Sequence, residues 1–144
     1  MNIPVKIVDT TLRDGEQSAG VMFTEKEKIK IVKLLDEIAV EWIEAGIPAL
    51  GSEEEATLKK LFDLQLSKSK LIAWNRANCD DVLKSINCGF EYIHISVPIS
   101  ELHLKVKLNT SREEIFKRFE NAVCFAQKSS CIVFAGAEDA SRAT

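Results

Sequence analysis

The 144-residue sequence lacks several features that would place it in a broad class of protein. No uninterrupted apolar run is long enough to cross a membrane, and no basic segment precedes an apolar segment and a cleavage site at the N-terminus. No stretch combines lysine and arginine with aromatic residues, and the formal net charge is -3. We therefore expect a cytoplasmic protein with neither a membrane nor a nucleic acid as its partner.

Familiar motifs for cofactors and nucleophiles are also missing. The sequence contains no GxGxxG and no GxSxG, and the pair Gly15 and Gly20, which has phosphate-loop spacing, is followed by Val21 and Met22 instead of the required Lys and Ser or Thr. The four cysteines have no CxxC spacing, which argues against a zinc knuckle or a redox pair. They are Cys79, Cys88, Cys124 and Cys131. We expect all four to be reduced packing residues.

What is present is a globular composition, 46% hydrophobic and 28% charged, with a regular alternation of patterns. Five short segments are rich in β-branched or apolar residues, and helical patterns fill the four intervals between them. The predicted strands lie near residues 3–9, 41–46, 70–75, 91–97 and 131–135. This alternation favours a parallel sheet with helical crossovers.

The clearest helix is predicted from residue 24 to about residue 39, where apolar residues recur at helical spacing. Three predicted helix starts carry a Ser/Thr-x-x-Glu capping box, in which each side chain bonds the backbone N–H of the other residue. The pairs are Thr24 with Glu27, Ser52 with Glu55, and Ser111 with Glu114. Their recurrence supports the predicted helix boundaries.

Polar residues stand where each predicted strand ends, and their number distinguishes a barrel from an open sheet. They are Asp9 with residues 13–17, then Glu44, Asn75, Arg76, Ser96, Glu138 and Asp139. The carboxyl ends of parallel strands share one rim, and five contributing strands are more typical of a TIM barrel than of an open sheet. Since a full barrel has eight strands in about 250 residues, we predict an α/β fold, a partial TIM (β/α)8 barrel of about five strands and four helices. Residues 1–144 would form its N-terminal portion.

The densest group of polar side chains is the segment DTTLRDGEQ, residues 9–17, directly after the first predicted strand. A carboxylate such as Asp14 suits a divalent cation, and the adjacent Arg13 offers a guanidinium to an oxygen on which negative charge develops. From the residues alone, a solvated loop with a local salt bridge is an equally good interpretation.

The run DTTLRDGEQ resembles the signature of the DRE-TIM metallolyase superfamily, which includes isopropylmalate, citramalate and homocitrate synthases and hydroxymethylglutaryl-CoA lyase. Within it the chain is most similar to the homocitrate synthases associated with nitrogenase. The similar segments are DTTLRDGEQSAGV, IEAGIPALGSEE, AWNR, VPISELHLKVKLN and GAEDASRA. The resemblance implies a Claisen-type condensation, in which the enolate of acetyl-CoA attacks the keto carbon of 2-oxoglutarate and thioester hydrolysis releases homocitrate and CoA.

The resemblance also implies roles for six residues. They are Arg13 and Glu138 as catalytic residues, Gln17, Glu44 and Arg76 as substrate-binding residues, and Asp14 as a metal ligand. Arg13 matches the arginine that stabilises the developing oxyanion, and Arg76 is expected to meet a substrate carboxylate. Two alternatives stay open: Glu44 only pairs with Arg13 or Arg76, or Arg76 forms a surface salt bridge.

Three further side chains carry weaker predictions. Asp139 either joins the site or caps a helix, because an acid complements the positive end of a helix. His94 lies among isoleucines and is expected to be a core residue, while His103 stands in a loop within reach of the pocket.

The implied cofactor is a divalent metal, Mg, Mn, Zn or Co, which the family holds with a carboxylate and a His-x-His motif. The chain has two histidines and no His-x-His, so it offers one ligand where several are needed. We expect acetyl-CoA and 2-oxoglutarate as substrates, a complementary C-terminal chain or self-association, and no activity from these 144 residues alone. The alternatives are a 2-isopropylmalate or citramalate synthase relative and a truncated, non-catalytic assembly module.

Overall fold

The fold is a curled sheet of parallel strands with helices on its outer face, seen in a computed structural model that describes residues 5–143. Its strands are β1 (Val8–Asp9), β2 (Trp42–Gly46), β3 (Lys70–Arg76), β4 (Tyr92–Pro98) and β5 (Ile132–Glu138). Each matches a predicted strand, although β1 is short and residues 3 and 4 of its predicted range lie outside the described residues. The strands follow the sheet in the order β1-β2-β3-β4-β5.

This strand order confirms the predicted barrel-like fold. Every neighbouring pair is parallel, from Val8 opposite Trp42 to Pro98 opposite Glu138. In an open doubly wound sheet the strand order reverses at a switch point, whereas here each new strand joins the same edge. The sheet therefore corresponds to half of a TIM barrel, with β1 and β5 as its two edges.

Five helices connect the strands where four were predicted. They are α1 (Glu25–Glu37), α2 (Ser52–Phe62), α3 (Cys79–Asn87), α4 (Glu101–His103) and α5 (Arg112–Lys128). The additional helix, α4, runs into a π-helical turn, Leu104–Leu108, so that the β4–α5 connection is helical. Ser100 caps α4 by accepting from the His103 backbone N–H at 3.2 Å, and Asn109 ends the turn in the left-handed conformation.

The predicted capping boxes differ in outcome. Thr24 and Glu27 form the complete box at the start of α1. Ser111 accepts from the backbone N–H of Glu114 at 3.1 Å, which is one of the two bonds of the box predicted for α5. The Ser52 box is wrong, because α2 begins at Ser52 itself and its cap is Gly51 at φ 138°. Only glycine adopts this conformation readily, so the chain turns into the helix one residue earlier than the pattern indicates.

The hydrophobic core lies between the outer face of the sheet and the helices. Its fully buried members include Ile43 and Ala45 on β2, Ile93 and Ile95 on β4, and helix residues such as Val32. All four cysteines are free thiols, but Cys124 is exposed, so the prediction of four packing residues is wrong for this one. It lies on the solvent side of α5, where a small thiol carries no packing constraint. No helix in residues 5–143 is both long and apolar enough to cross a membrane.

The inner face of the sheet is divided into an aromatic layer and a polar layer. Trp42 contacts Tyr92 and Phe134 edge-to-face, with ring centroids 4.9 and 5.1 Å apart. Side chains alternate along a strand, so Glu44 and His94 follow two residues later on the same face. The aromatic rings thus close the N-terminal end of the half-barrel and leave polar side chains at the carboxyl ends of the strands.

Candidate active site

The loop after β1 is held in one conformation by its own backbone. The carbonyl of Thr10 accepts hydrogen bonds from the backbone N–H groups of residues 13, 14 and 15 at 2.8–3.1 Å. The Asp9 carboxylate accepts from both the backbone N–H and the hydroxyl of Thr11, and Leu12 is fully buried in the core. With its ends fixed in this way, the loop projects Arg13 and Asp14 over the inner face of the sheet.

Arg13, Glu44 and His94 form a connected group at this rim. Arg13 donates from Nε to Glu44 Oε2 at 2.7 Å and from Nη1 to Asp14 Oδ1 at 3.1 Å. Its guanidinium also lies 5.4 Å from the centre of the Trp74 ring. The other Glu44 oxygen, Oε1, bonds Nδ1 of His94. Glu44 therefore bridges two basic groups, and only 2% of its side chain is exposed.

These contacts determine the charge of Glu44. Burial raises the pKa of its carboxyl, but the hydrogen bonds from His94 and Arg13 lower it by more, so the net pKa lies below the ordinary value. Glu44 is thus a buried carboxylate that stays ionised. It holds the Arg13 guanidinium in one orientation through the hydrogen bond that Arg13 Nε donates.

Space for the His94 ring depends on Gly136 of β5. Gly136 lies opposite Ser96 and two residues after Phe134, which pairs with His94. A Cβ atom built on Gly136 would overlap Nε2 of His94 and approach Ser96 Oγ to 3.0 Å. The missing side chain at residue 136 is therefore what lets the imidazole enter the cavity.

An open cavity of about 480 Å³ unites most of the predicted site residues. Its lining consists of Arg13, Asp14, Gln17, Trp74, His94, Ser96, Lys107, Gly136, Ala137 and Glu138. Glu138, at the end of β5, accepts from Ser96 at 3.3 Å and from Lys107 at 3.1 Å. Four of the six predicted residues thus line one cavity, and Glu44 supports it from below.

Arg76 lies to one side of this group. Its guanidinium makes two hydrogen bonds to the buried carboxylate of Asp81, at 2.6 and 2.9 Å, while 67% of its own side chain is exposed. It lines a neighbouring cavity of about 260 Å³, which shares Glu138 and Lys107 with the first. The part of the Arg76 guanidinium that does not face Asp81 can still bind a ligand in this neighbouring cavity. Its substrate-binding role stays a prediction.

Asn75 does not belong to the rim, although the sequence placed it there. It is fully buried on the outer face of β3, where its side-chain oxygen accepts from Ser85 at 2.7 Å. Residues 75 and 76 are consecutive in a strand and therefore point to opposite faces. A polar residue at a strand end is consequently not enough to predict a site residue.

Asp139 and His103 form a separate group beside the cavity. Asp139 accepts from Ser100 at 2.5 Å and from Arg142 at 2.7 Å, and Nε2 of His103 lies 3.8 Å from its carboxylate. Its side chain makes no capping bond to the short helix Ala140–Arg142 that follows it. Ser100 and Arg142 lower the pKa of Asp139, which fits a charged structural anchor.

Apart from Gly136 and Ala137, the sequence analysis missed three residues that line the cavity. His94 was expected in the core, yet it shares a face with Ser96, and period-two alternation in β4 is a signal that would have placed it inside. Lys107 and Trp74 carried no comparable signal. Lys107 enters the cavity only because the β4–α5 connection is helical, and Trp74 is identified by its contact with Arg13.

Asp14 fits part of a metal site. Its carboxylate lines the cavity and is 67% exposed, so oxygen atoms are available to a hard cation. Within residues 5–143, no three or more His, Cys, Asp or Glu side chains are grouped so as to hold a metal ion. A stable site would need further ligands.

Comparison with known proteins identifies the family of the chain. Residues 4–144 match the HMGL-like family, nearly the whole chain. The chain belongs to that family, the DRE-TIM group. It is 47% identical over 139 residues to the 2-isopropylmalate synthase 2 of Caldanaerobacter subterraneus subsp. tengcongensis, covering 96% of this chain and 36% of that protein. It is 44% identical over 139 residues to the homocitrate synthase subunit alpha of Clostridium pasteurianum, covering 96% of this chain and 51% of that protein.

The fold is shared with a solved structure. The hydroxymethylglutaryl-CoA lyase of Pseudomonas aeruginosa superposes with a TM-score of 0.77 at 20% identity, covering 92% of this chain and 45% of that chain. This HMGL-like chain therefore has the barrel-type fold predicted from its sequence. It spans between a third and about half of the length of the curated relatives it matches.

Proposed function

We propose that this HMGL-like chain is the β1–β5 part of a homocitrate synthase, which condenses acetyl-CoA with 2-oxoglutarate to give homocitrate and CoA. The observation that carries the proposal is the Arg13–Glu44 ion pair at the mouth of the cavity, with Asp14 beside it. An arginine already oriented by a buried carboxylate needs no reorganisation when negative charge develops on the substrate.

In this proposal Arg13 acts on the oxygen of the keto group. As the enolate carbon of acetyl-CoA bonds to the keto carbon, the carbonyl oxygen gains the negative charge. The guanidinium lines the cavity with its Nε already bound to Glu44, and the cation–π contact with Trp74 restricts it further. A lysine would lose the planar, two-point geometry that these contacts use.

Asp14 would hold a divalent metal, Mg, Mn, Zn or Co, together with ligands from outside the described residues. The metal, when bound, polarises the keto carbonyl. The exposed Asp14 oxygens line the same cavity as Arg13 and Gln17. A substrate in that cavity could therefore contact both the arginine and a metal held by Asp14. We assign Gln17 to substrate binding for the same reason.

The 2-oxo acid would extend along the rim toward Glu138 and Arg76. A dicarboxylate such as 2-oxoglutarate has a second negative group, and Arg76 and Lys107 are cations in the adjoining cavity that can receive it. Glu138 contacts Lys107 and Ser96, from where it would adjust binding or proton transfer.

A 2-isopropylmalate synthase activity is the second candidate, favoured by the 47% identity with the Caldanaerobacter protein. The 2-oxo acid of that reaction has an apolar side chain, so it would not need a cation in the part of the cavity that receives the side chain. The chain covers 36% of the Caldanaerobacter protein and 51% of the Clostridium protein, and its strands β1 and β5 are open edges that another chain can cover. Both observations support a complementary C-terminal chain or self-association. The third candidate function is a truncated, non-catalytic assembly module.

The test begins with the DNA beyond codon 144 and in neighbouring genes, where we expect a His-x-His segment that completes the metal site. The chain combined with that segment is then assayed for CoA thiol release with 2-oxoglutarate, 2-oxoisovalerate and pyruvate. We expect 2-oxoglutarate to be preferred and Arg13→Lys to lower kcat by about a hundredfold. The exposed Lys60, paired with Glu25 far from the cavity, supplies the control variant Lys60→Met, which should keep the full rate.

Three results would change the proposal. Preference for 2-oxoisovalerate would select the isopropylmalate alternative. CoA release at an ordinary rate from the 144 residues alone would contradict an incomplete site. Full activity of Arg13→Lys would contradict the role of the arginine.

A further inference from the structure

Two charged residues of the DTTLRDGEQ segment, Asp9 and Glu16, have no role in the proposed reaction. Glu16 points away from the cavity and meets a buried lysine of α1. The Lys28 ammonium lies 2.8 Å from Glu16 Oε2 and 2.9 Å from Glu54 Oε2 of α2. Only 7% of the Lys28 side chain is exposed, so three charges are packed together where solvent screens them little.

Each carboxylate of this group also holds a backbone segment of the site. Glu16 Oε1 accepts from the Phe23 backbone N–H at 3.1 Å, which closes the loop that begins at Arg13. Glu54 Oε1 accepts from the Ile47 backbone N–H at 3.3 Å, directly after β2. A side chain on Gly46 would overlap that same Glu54 oxygen, so the strand end and the carboxylate are in close contact.

The two segments held in this way carry the two partners of the central ion pair. Glu16 lies three residues after Arg13, and Gly46 lies two residues after Glu44. The register between β2 and β3 shifts between Glu44 and Gly46, so the strand is irregular at the point where the Glu54 carboxylate contacts it.

We propose that Lys28 is a positioning residue, which clamps the Arg13 loop and the end of β2 together through Glu16 and Glu54 and so sets the Arg13–Glu44 geometry. Without its ammonium, two carboxylates with little access to water would face each other. Their repulsion would separate the loop from the strand.

This catalytic meaning rests on the proposed function, but the geometry can be measured without any reaction. The readout is the Nε–H resonance of Arg13, whose proton is hydrogen-bonded to Glu44. The Nε–H of Arg76, bonded to Asp81 at 2.6 Å, is an internal reference elsewhere on the rim. Both are recorded by ¹⁵N NMR on the full chain, with Arg13→Gln used for assignment, and the free energy of unfolding is measured in urea.

Lys28→Met should abolish the Arg13 Nε–H signal, whose proton the Glu44 hydrogen bond protects from exchange with water. The Arg76 Nε–H signal should remain. Lys28→Arg should restore the Arg13 signal, since a guanidinium can bridge the same two carboxylates. Lys60→Met is a matched control, because it removes an exposed ion pair between the same two helices, Lys60 with Glu25 at 2.7 Å, and should change neither signal.

An unchanged Arg13 signal in Lys28→Met, with or without a loss of stability, would overturn the proposal, because Lys28 would then only stabilise the fold. If Lys28→Met does not fold, Glu16→Gln replaces it. That change keeps the shape but removes the charge on the Arg13 side, and it should weaken the protection of the Arg13 signal. Persistence of full protection in Glu16→Gln would equally overturn the proposal. Neither result depends on the substrate, so a failed condensation assay and a failed clamp are distinguishable.

Discussion

Replacing Glu44 by glutamine tests the centre of the site with almost no change in shape. The carboxylate is 2% exposed and accepts from Arg13 at 2.7 Å and from His94 on its other oxygen. The amide keeps one acceptor, but it brings a donor to the other position and leaves the exposed Asp14 carboxylate as the remaining acidic partner of Arg13. Because 15% of the Arg13 side chain reaches solvent, water replaces part of the lost interaction.

The expected cost follows from these exposures. Removing one partner of a fully buried ion pair costs about 3–5 kcal/mol, and the partial exposure of Arg13 places this variant at the lower end, about 3 kcal/mol. The matched control is Glu41→Gln on the chain segment that leads into β2. Glu41 pairs with Lys6 at 2.6 Å, but both side chains are well exposed, so its loss should cost about 0.5 kcal/mol or less.

The pH dependence gives a second, independent check. The pKa of Glu44 is lowered in the folded chain, so its stabilising contribution is fully present above the ordinary value of 4.5. That contribution is lost as pH falls through the lower, folded-state pKa. The difference between the parent chain and Glu44→Gln should therefore be constant near neutral pH and shrink below pH 4.5.

Urea unfolding followed by circular dichroism, at several pH values, measures both effects. The reasoning is refuted if Glu44→Gln costs no more than Glu41→Gln at neutral pH. It is also refuted if the difference between the parent chain and Glu44→Gln grows in acid, since a carboxylate with a lowered pKa cannot behave in that way.

Two further predictions concern residues around the site and the sheet. Gly136→Ala should lower the free energy of unfolding by about 1–3 kcal/mol and shift the His94 imidazole NMR signals, because the new Cβ overlaps the ring; an unshifted ring would contradict this. Asp36→Asn should lower the melting temperature at neutral pH, because the carboxylate accepts backbone hydrogen bonds from residues 67–69 that hold its pKa well below 3.8. That difference should narrow as pH falls below 3.8, and a pH-independent difference would contradict it.

The fold was predictable because its determinants are local. Strand segments and helix starts are read from short patterns of side chains, and the polar residues at strand ends indicated a barrel. Where the prediction failed, backbone conformation had the deciding role. Gly51 takes a positive φ and starts α2 at Ser52, and the run after Ser100 folds into α4 with its π-helical turn.

The site was predictable where one motif supplies it. Arg13, Asp14 and Gln17 come from a single loop, so their proximity follows from the chain itself. Glu138, more than a hundred residues away, joins them through the sheet register that sets it opposite Pro98. The contacts of Arg76 with Asp81 and of Glu44 with His94 depend on which neighbours the folded chain brings within reach.

The amino-acid sequence by itself determined the alternation of strands and helices, the family and the loop that carries Arg13 and Asp14. These properties depend on residues that are close together in the chain. Their periodicity and local hydrogen bonds require no contact between distant segments. The tertiary structure alone decided that Lys107 lines the cavity, that His94 bonds Glu44, and that Lys28 joins Glu16 to Glu54. Such pairings connect residues far apart in the chain, and only the packing of helices on a curved sheet sets their distances.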